Sequence, residues 1–275
     1  MFNLWKAHGL GNDYLVWQGS QTLDSNIVQH ICHRHTGVGS DGILEPFSST
    51  KADMGVTIWN PDGSIAEKSG NGLRIFAWWC VVKKGLFPNL TAFTVDTGFD
   101  VVRCVVCEAE GWVQVEMGVP KFGKEEIPTT QSLWAYQHHI EGAILELYAV
   151  SMGNPHCMAL FDSRVDLDAL PWRKWGEHLE VHPFFPNRSN IQFAKILSRD
   201  RIEIRIWERG AGETSASGSS SCAVAAICHR LGLIDDEVRI EMPGGVLEIC
   251  FDSDGQVILK GAVTEIASIQ FEHFD

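Results

Sequence analysis

Ser69-Gly70-Asn71-Gly72-Leu73-Arg74-Ile75-Phe76-Ala77-Trp78-Trp79-Cys80-Val81-Val82-Lys83-Lys84-Gly85-Leu86 and Ser217-Gly218-Ser219-Ser220-Ser221-Cys222-Ala223-Val224-Ala225-Ala226-Ile227-Cys228-His229-Arg230-Leu231-Gly232-Leu233 share one shape. Each opens on Ser-Gly, runs through apolar residues, turns basic, and stops at Gly-Leu. That is a helix start and a helix stop, written twice. The pattern predicts helices over 71–84 and 219–231, apolar on most faces and therefore buried. The first-turn N–H groups of such helices have no intrahelical partner and attract anions. Two of them facing one cleft would hold one carboxylate, with a serine on each face of its α-carbon.

Other features repeat at nearly the same offset. His8-Gly9-Leu10-Gly11-Asn12 follows a predicted strand, as Ser151-Met152-Gly153-Asn154-Pro155-His156 does. Asn60-Pro61-Asp62-Gly63 matches Glu208-Arg209-Gly210-Ala211-Gly212. Three matches in order predict two lobes of equal topology, with the ligand site between them. Strands are predicted near 2–7, 14–18, 43–46, 55–59, 91–96, 100–106 and 112–117, then 146–151, 157–161, 191–196, 202–207, 238–241, 246–251 and 256–260. A short helix follows Asp24, capped by it or by Ser25. The seam falls near Gly118-Val119-Pro120. The expected division is 1–118, 119–263, and a strand over 264–275 returning to the first lobe.

Composition narrows the function classes. A formal charge of −13 over 275 residues argues against a nucleic-acid surface. The start of the chain lacks a long apolar run, and Ile75–Val82 is too short to span a bilayer, so a cytoplasmic protein is expected. The eight cysteines are scattered. Cys104-x-x-Cys107 lies in a strand with no second ligand pair, which favours buried thiols over a zinc site. Gly37-Val38-Gly39-Ser40-Asp41-Gly42 fits G-x-G-x-x-G, but no strand precedes it and no helix follows, so it is read as a turn rather than a dinucleotide loop. The tryptophans are scattered, as core residues are.

Asn12, Asn60, Asn154 and Asn190 sit in or beside turns, where asparagine is common for structural reasons. Their recurrence near the ends of repeated strands, with Glu208 and Arg209, points to a polar site. Arginine in a glycine-rich loop suits a bidentate grip on a carboxylate, or else a surface ion pair. His156 is a candidate general base or a satisfied loop histidine.

These motifs resemble the diaminopimelate epimerases: HGLGNDY at 8–14, NPDGS at 60–64, SGNGLR at 69–74, SMGNPHC at 151–157, SNIQF at 189–193, ERGAGET at 208–214 and GSSSCA at 218–223. The resemblance implies an α/β (α+β) fold of two pseudo-symmetric lobes, each a curved mixed sheet wrapped around a central helix. It implies inversion of an amino acid α-carbon without pyridoxal phosphate or any other cofactor or metal. One cysteine takes the α-proton while the opposite one delivers another. By the same resemblance, Gly70, Asn71, Gly218 and Ser219 would hold the α-carboxylate. His156 and Glu208 would assist the acid/base groups, Asn60, Asn190 and Arg209 would hold the distal arm, and Asn12 and Asn154 would line the site. The implied partner is a small amino acid, LL- or meso-diaminopimelate by default. A homodimer is allowed, and neither nucleic acid nor membrane is expected.

The chain departs from the family at two positions: Ser69 and Ser217 stand where it has cysteine. An engineered trap and a natural paralogue both explain this. Lys68, Ser220 and Ser221 also differ from the usual residues, which favours natural divergence. Three functions are open: epimerisation with two serines, altered chemistry such as elimination, and amino acid binding without turnover.

Overall fold

The computed structural model describes residues 2–87 and 92–271. Contacts divide the chain into two units, Met1–Glu116 with Lys260–Asp275, and Met117–Leu259.

The first unit runs β1 (Phe2–Gly9), β2 (Asn12–Trp17), α1 (Ser25–Cys32), β3 (Ile43–Phe47), β4 (Met54–Trp59), β5 (Ile65–Ala66), α2 (Gly70–Trp78), β6 (Ala92–Asp96), β7 (Val101–Cys107) and β8 (Trp112–Gly118). The C-terminal strand Thr264–Phe271 pairs antiparallel with β1. β1 pairs antiparallel with β2, β2 parallel with β3, and β3 antiparallel with β4. β4 then takes β5 antiparallel and β6 parallel, and β6, β7 and β8 follow antiparallel. Helix α2 packs on β1 and β2 and also on β7. Those strands lie toward opposite ends of the pairing order, so the sheet curls around the helix.

The second unit repeats the plan with β9 (Tyr136–Ile140), β10 (Ala143–Ser151), β11 (Pro155–Phe161), α3 (Trp172–Glu180), β12 (Asn190–Ser198), β13 (Arg201–Glu208), β14 (Gly212–Thr214), α4 (Gly218–Arg230), β15 (Glu237–Met242), β16 (Gly245–Phe251) and β17 (Val257–Ala262). β9, β10 and β11 are antiparallel neighbours, β11 and β12 are parallel, and β12 and β13 are antiparallel. β13 takes β14 antiparallel and β15 parallel, exactly the branching of β4. β16 follows β15 antiparallel. Helix α4 touches β10, β11 and β12, and also β15 and β16. Each unit is thus a mixed α/β fold with the same pairing order, as expected from the repeat, the C-terminal strand standing beside β1 as β9 stands beside β10.

The central helices are buried as their composition requires. Every residue of α2 is buried, Arg74 included, and α4 buries Gly218 and Ser220–Cys228. The outer face of each sheet carries a smaller helix. In the first unit Val28, Ile31 and Cys32 of α1 join Leu4, Leu15 and Ile43. In the second, Trp172, Trp175 and Leu179 of α3 pack on Leu147, Ala159, Ile191 and Phe193.

Both Gly-Leu stops behave as predicted, with one difference. Gly232 is left-handed (φ 70°), and the Leu233 amide reaches back to the Cys228 carbonyl at 3.0 Å. Gly85 is also left-handed (φ 64°), but the Leu86 amide reaches one residue further, to Cys80 at 2.9 Å. Between them Trp79–Lys83 forms a widened π turn, where a continuous α-helix was predicted. The first helix holds one more residue than the second between its Ser-Gly start and Gly-Leu stop. A π turn is how a helix absorbs one extra residue without shifting its packed face.

Asp24, not Ser25, caps α1, accepting the Ile27 amide. The 37–42 turn wraps the C-terminal end of that helix: the Val38, Gly39 and Ser40 amides donate to the Ile31 and Cys32 carbonyls. Its amides are spent on carbonyls at the negative end of a helix dipole, which repels phosphate. Cys104 is buried and Cys107 partly exposed, both free thiols on one strand. The predicted strand start at Thr91 and the end of the C-terminal strand, 272–275, lie outside the described residues. Among the described residues no helix is long and apolar enough to cross a membrane.

Glu180, buried at the end of α3, accepts the Trp207 indole at 2.8 Å and the Gly210 amide at 2.7 Å, and pairs with Arg188 at 2.5 Å. It pins the Arg209-Gly210 turn. Replacing it by alanine removes all three contacts and is expected to cost about 3 kcal/mol. In urea denaturation the midpoint should fall with an unchanged slope, and Glu180→Gln should recover part of the loss.

Candidate active site

In each unit a hairpin leads through a short strand to a Ser-Gly helix start. Ser69 and Ser217 are the N-caps of α2 and α4, both in extended backbone geometry. Ser69 Oγ accepts the Gly72 amide at 3.0 Å, and Ser217 Oγ accepts the Ser220 amide at a longer 3.5 Å. The first carbonyl bonds of the helices run from Leu73 to Ser69 and from Ser221 to Ser217. The amides of Gly70 and Asn71, and of Gly218 and Ser219, precede them and have no intrahelical carbonyl to bind. Each helix therefore presents two backbone donors beside a hydroxyl, with the positive end of the dipole behind them.

The first unit builds its donors into a chain of side chains. The Tyr14 hydroxyl lies 3.1 Å from Ser69 Oγ. Asn71 donates to Asn12 Oδ1 at 3.1 Å, Asn12 donates to Asp41 at 2.9 Å, and the buried Arg74 donates to Asn71 Oδ1 at 2.8 Å. A Cβ on Gly9 would stand 2.6 Å from the Arg74 guanidinium, so only glycine leaves that side chain its place. Asp13 completes the cluster, bound by Lys6 and Arg34 at 2.8 Å each. Burial alone would raise its carboxyl, but the two cations outweigh burial and hold it below the ordinary carboxylate range. Asn12, Ser69, Gly70 and Asn71 are thereby brought together. Asn60, half-buried at the start of the 60–64 turn, donates to Ser64 Oγ at 2.9 Å.

The second unit links its residues through a buried relay. The parallel pairing of β11 and β12 sets His156 beside Asn190. His156 is fully buried, with Nε2 at 2.9 Å from Asn154 Oδ1 and Nδ1 at 3.1 Å from Gln192 Nε2. Gln192 also donates to Ser220 Oγ at 3.0 Å. Asn154, His156, Gln192 and Ser220 thus form a chain of contacts that ends at Ser220, whose amide Ser217 Oγ accepts. Burial, with a smaller push from the Arg209 charge, drives His156 down to about 3. At neutral pH the ring is uncharged, carrying one proton between the nitrogens that face Asn154 Oδ1 and the Gln192 amide. Ser221 Oγ donates to the Ser217 carbonyl at 2.8 Å.

Asn190 is engaged at both ends. Its Nδ2 donates to the Pro155 carbonyl at 3.0 Å and its Oδ1 accepts the Arg209 amide at 3.0 Å. Each end keeps one further hydrogen-bonding valence. Arg209 itself is exposed, its guanidinium 3.5 Å from the Asn187 carbonyl. Glu208 accepts the Thr214 hydroxyl at 2.9 Å, which ties the base of that hairpin to the strand before Ser217. Sequence reading missed Tyr14, Arg74, Gln192 and Glu180 as supports. Tyr14, Arg74 and Gln192 lie inside quoted motifs, but nothing in their spacing shows that they touch site residues.

The Diaminopimelate epimerase family profile matches residues 4–123 and 148–266. The chain is 43% identical over 270 residues to "Diaminopimelate epimerase 2" of Nostoc sp. (strain PCC 7120), covering 96% of this chain and 93% of that protein. It is 39% identical to a diaminopimelate epimerase of Ectopseudomonas mendocina, covering 92% of each. Among solved structures, a hydroxyproline epimerase from Agrobacterium vitis shares the fold, with a TM-score of 0.73, 17% identity, and coverage of 98% of this chain and 90% of that one. A PhzF-family protein from Bacillus anthracis does so with a TM-score of 0.68, 16% identity and 99% coverage of both. With a family match over most of its length and relatives this similar, the chain belongs to the diaminopimelate epimerase family.

Proposed function

We propose that this protein is a cofactor-independent amino acid isomerase of the diaminopimelate epimerase type, in which one of Ser69 and Ser217 takes the α-proton and the other returns one. Diaminopimelate is the default substrate. The observation that carries this reading is the equivalent placement of the two serines: each caps the central helix of its unit, beside two backbone donors suited to a carboxylate. Gly70, Asn71, Gly218 and Ser219 supply those donors. Asn12 and Asn154 line the site, and Asn60, Asn190 and Arg209 take the distal arm. His156, neutral and bonded at both nitrogens, positions Ser220 through Gln192 rather than exchanging protons. Glu208 steadies the strand that leads into Ser217.

Magnitudes decide how well serine can do this. Thiols titrate near ~8.5 and water near ~15.7, so ionising an alcohol costs roughly 10 kcal/mol more than ionising a thiol. A helix dipole returns about 1 kcal/mol, and each hydrogen bond to the anion about 2. Ser69, with Gly72 and Tyr14 at hydrogen-bonding distance, gains about 5 kcal/mol on these figures, but a thiolate in the same place would gain from the same groups, so most of the difference from cysteine stands. Ser217, with one long contact, gains less. The reaction is therefore slow, and rises with pH as the alkoxide fraction grows. That shortfall also favours a second reading, amino acid binding without turnover.

Deuterium incorporation at the α-carbon of diaminopimelate in D₂O separates the two. We expect slow exchange, increasing through pH 9. The double change Ser69→Cys and Ser217→Cys should accelerate it at pH 7.5 by on the order of 10²-fold or more. Tight binding with no exchange by either protein would establish the second reading. A double variant that binds but never exchanges would also remove the family chemistry from this scaffold.

Tyr14→Phe removes the phenol beside Ser69 and leaves the ring in the core. Exchange is expected to fall on the order of 10-fold or more, with the thermal midpoint little changed. His156 gives a pH signature. Its folded value of about 3 lies below the ordinary ~6.5, so the unfolded chain takes the proton first. Stability is then lost as pH falls from about 6.5 towards 3, by up to about 1.4 kcal/mol per pH unit. The difference in unfolding free energy between the parent and His156→Gln should carry that slope, and should be flat above pH 7.

A further inference from the structure

His138, on β9, and His178 and His182, at the C-terminal end of α3, bring one ring nitrogen each within 4.8 Å of one another. The rings pack around one point, with centroids 5.1 Å apart for His138 and His182, 5.5 Å for His178 and His182, and 6.4 Å for His138 and His178. All three belong to the second unit and none to the site described above. His138 Nε2 is a buried nitrogen with no hydrogen-bond partner. A buried, unmatched nitrogen is costly unless something outside the protein satisfies it.

We propose that these three histidines form a binding site for a late first-row divalent ion, with Zn²⁺ the natural occupant. The donor set is three neutral imidazoles, which suits Zn²⁺, Cu²⁺ and Ni²⁺ and does not suit Mg²⁺ or Ca²⁺. An ordinary imidazole is mostly uncharged at neutral pH, so each of the three rings can offer a nitrogen lone pair there. Three nitrogens at about 2.0–2.1 Å from one tetrahedral Zn²⁺ lie roughly 3.4 Å apart. Closing from within 4.8 Å needs small ring rotations, and His178 is exposed and free to make one. His182 Nδ1 now accepts the Phe184 amide at 3.2 Å. Ligation through its Nε2 moves the ring proton to Nδ1 and gives up that contact; ligation through Nδ1 displaces it. The remaining coordination positions go to solvent or a small anion. The ion would tie the β9 hairpin to the end of α3, two residues from the Glu180 that pins the Arg209-Gly210 turn.

The test is a titration of the metal-free full chain with ZnCl₂, followed by calorimetry and thermal unfolding, with CoCl₂ and CuCl₂ as spectroscopic probes. We expect one equivalent to bind and raise the thermal midpoint, reversibly with EDTA, while MgCl₂ does nothing. Co²⁺ should show the visible bands of a low-coordinate site, and Cu²⁺ should show resonance splitting from several nitrogens. His178→Ala, an exposed change that leaves folding intact, should weaken Zn²⁺ binding at least 10-fold, and so should His138→Gln. Equal Zn²⁺ affinity in the parent and in both variants would overturn the assignment. So would Cu²⁺ spectra without multiple nitrogen ligands.

Discussion

A helix buried on every side cannot send its first amides to water, and this protein answers that constraint with a serine at each central helix. The hydroxyl of Ser69 takes one amide of α2, and that of Ser217 takes one of α4. The two amides before it in each helix stay available to a ligand. The apolar faces that curl each sheet around its helix also bury the helix ends, so core and site arise from one arrangement. Changing the cap changes both the chemistry and the stability of the unit around it.

The two units share a plan but support their caps differently. In the first, a chain of polar side chains from Arg74 through Asn71 and Asn12 to Asp41 fixes the first turn, and Tyr14 reaches Ser69 directly. In the second, the support comes from β11 and β12, through His156 and Gln192 to Ser220. The extra residue in the first helix is absorbed at its far end, in the Trp79–Lys83 turn, away from the cap. The units differ in the parts that hold each serine and agree in the extended backbone of the cap itself.

Much of this was legible in the sequence because strong local signals agreed with the fold. Alternating strands, Ser-Gly starts and Gly-Leu stops are backbone requirements, and they appear twice. Helix α3 was missed although Trp172, Trp175, Gly176 and Leu179 lie at helical spacing and are buried. It begins at Pro171 without a side-chain cap, so the start signal was absent. Strand β9 escaped because its histidines do not alternate as apolar residues would. The π turn was hidden because its cause is a difference in length between two distant helices. Within the site, residue types were readable and partners were not. His156 reads as a base by type, and only the structure shows it fully buried, with both ring nitrogens facing side-chain amides.

The same hydrogen bond that makes serine a good cap sets its limits as a catalyst. When Oγ accepts a helix amide, a lone pair is occupied and the hydroxyl proton points elsewhere; for Ser69 the Tyr14 hydroxyl, at 3.1 Å, can give or take the proton of that bond. In the ground state such a group is a donor. It can deliver a proton to a developing carbanion, or a hydrogen bond to a carboxylate, without ionising. Removing an α-proton is the opposite task and needs the alkoxide. The helix and its neighbours stabilise it, but as they would a thiolate too, the roughly 10 kcal/mol difference largely stands. A serine cap of this kind is thus better suited to giving a proton than to taking one. The base half of the proposed inversion rests on whichever serine has the better donors, and by contact lengths that is Ser69, beside Tyr14 and Gly72.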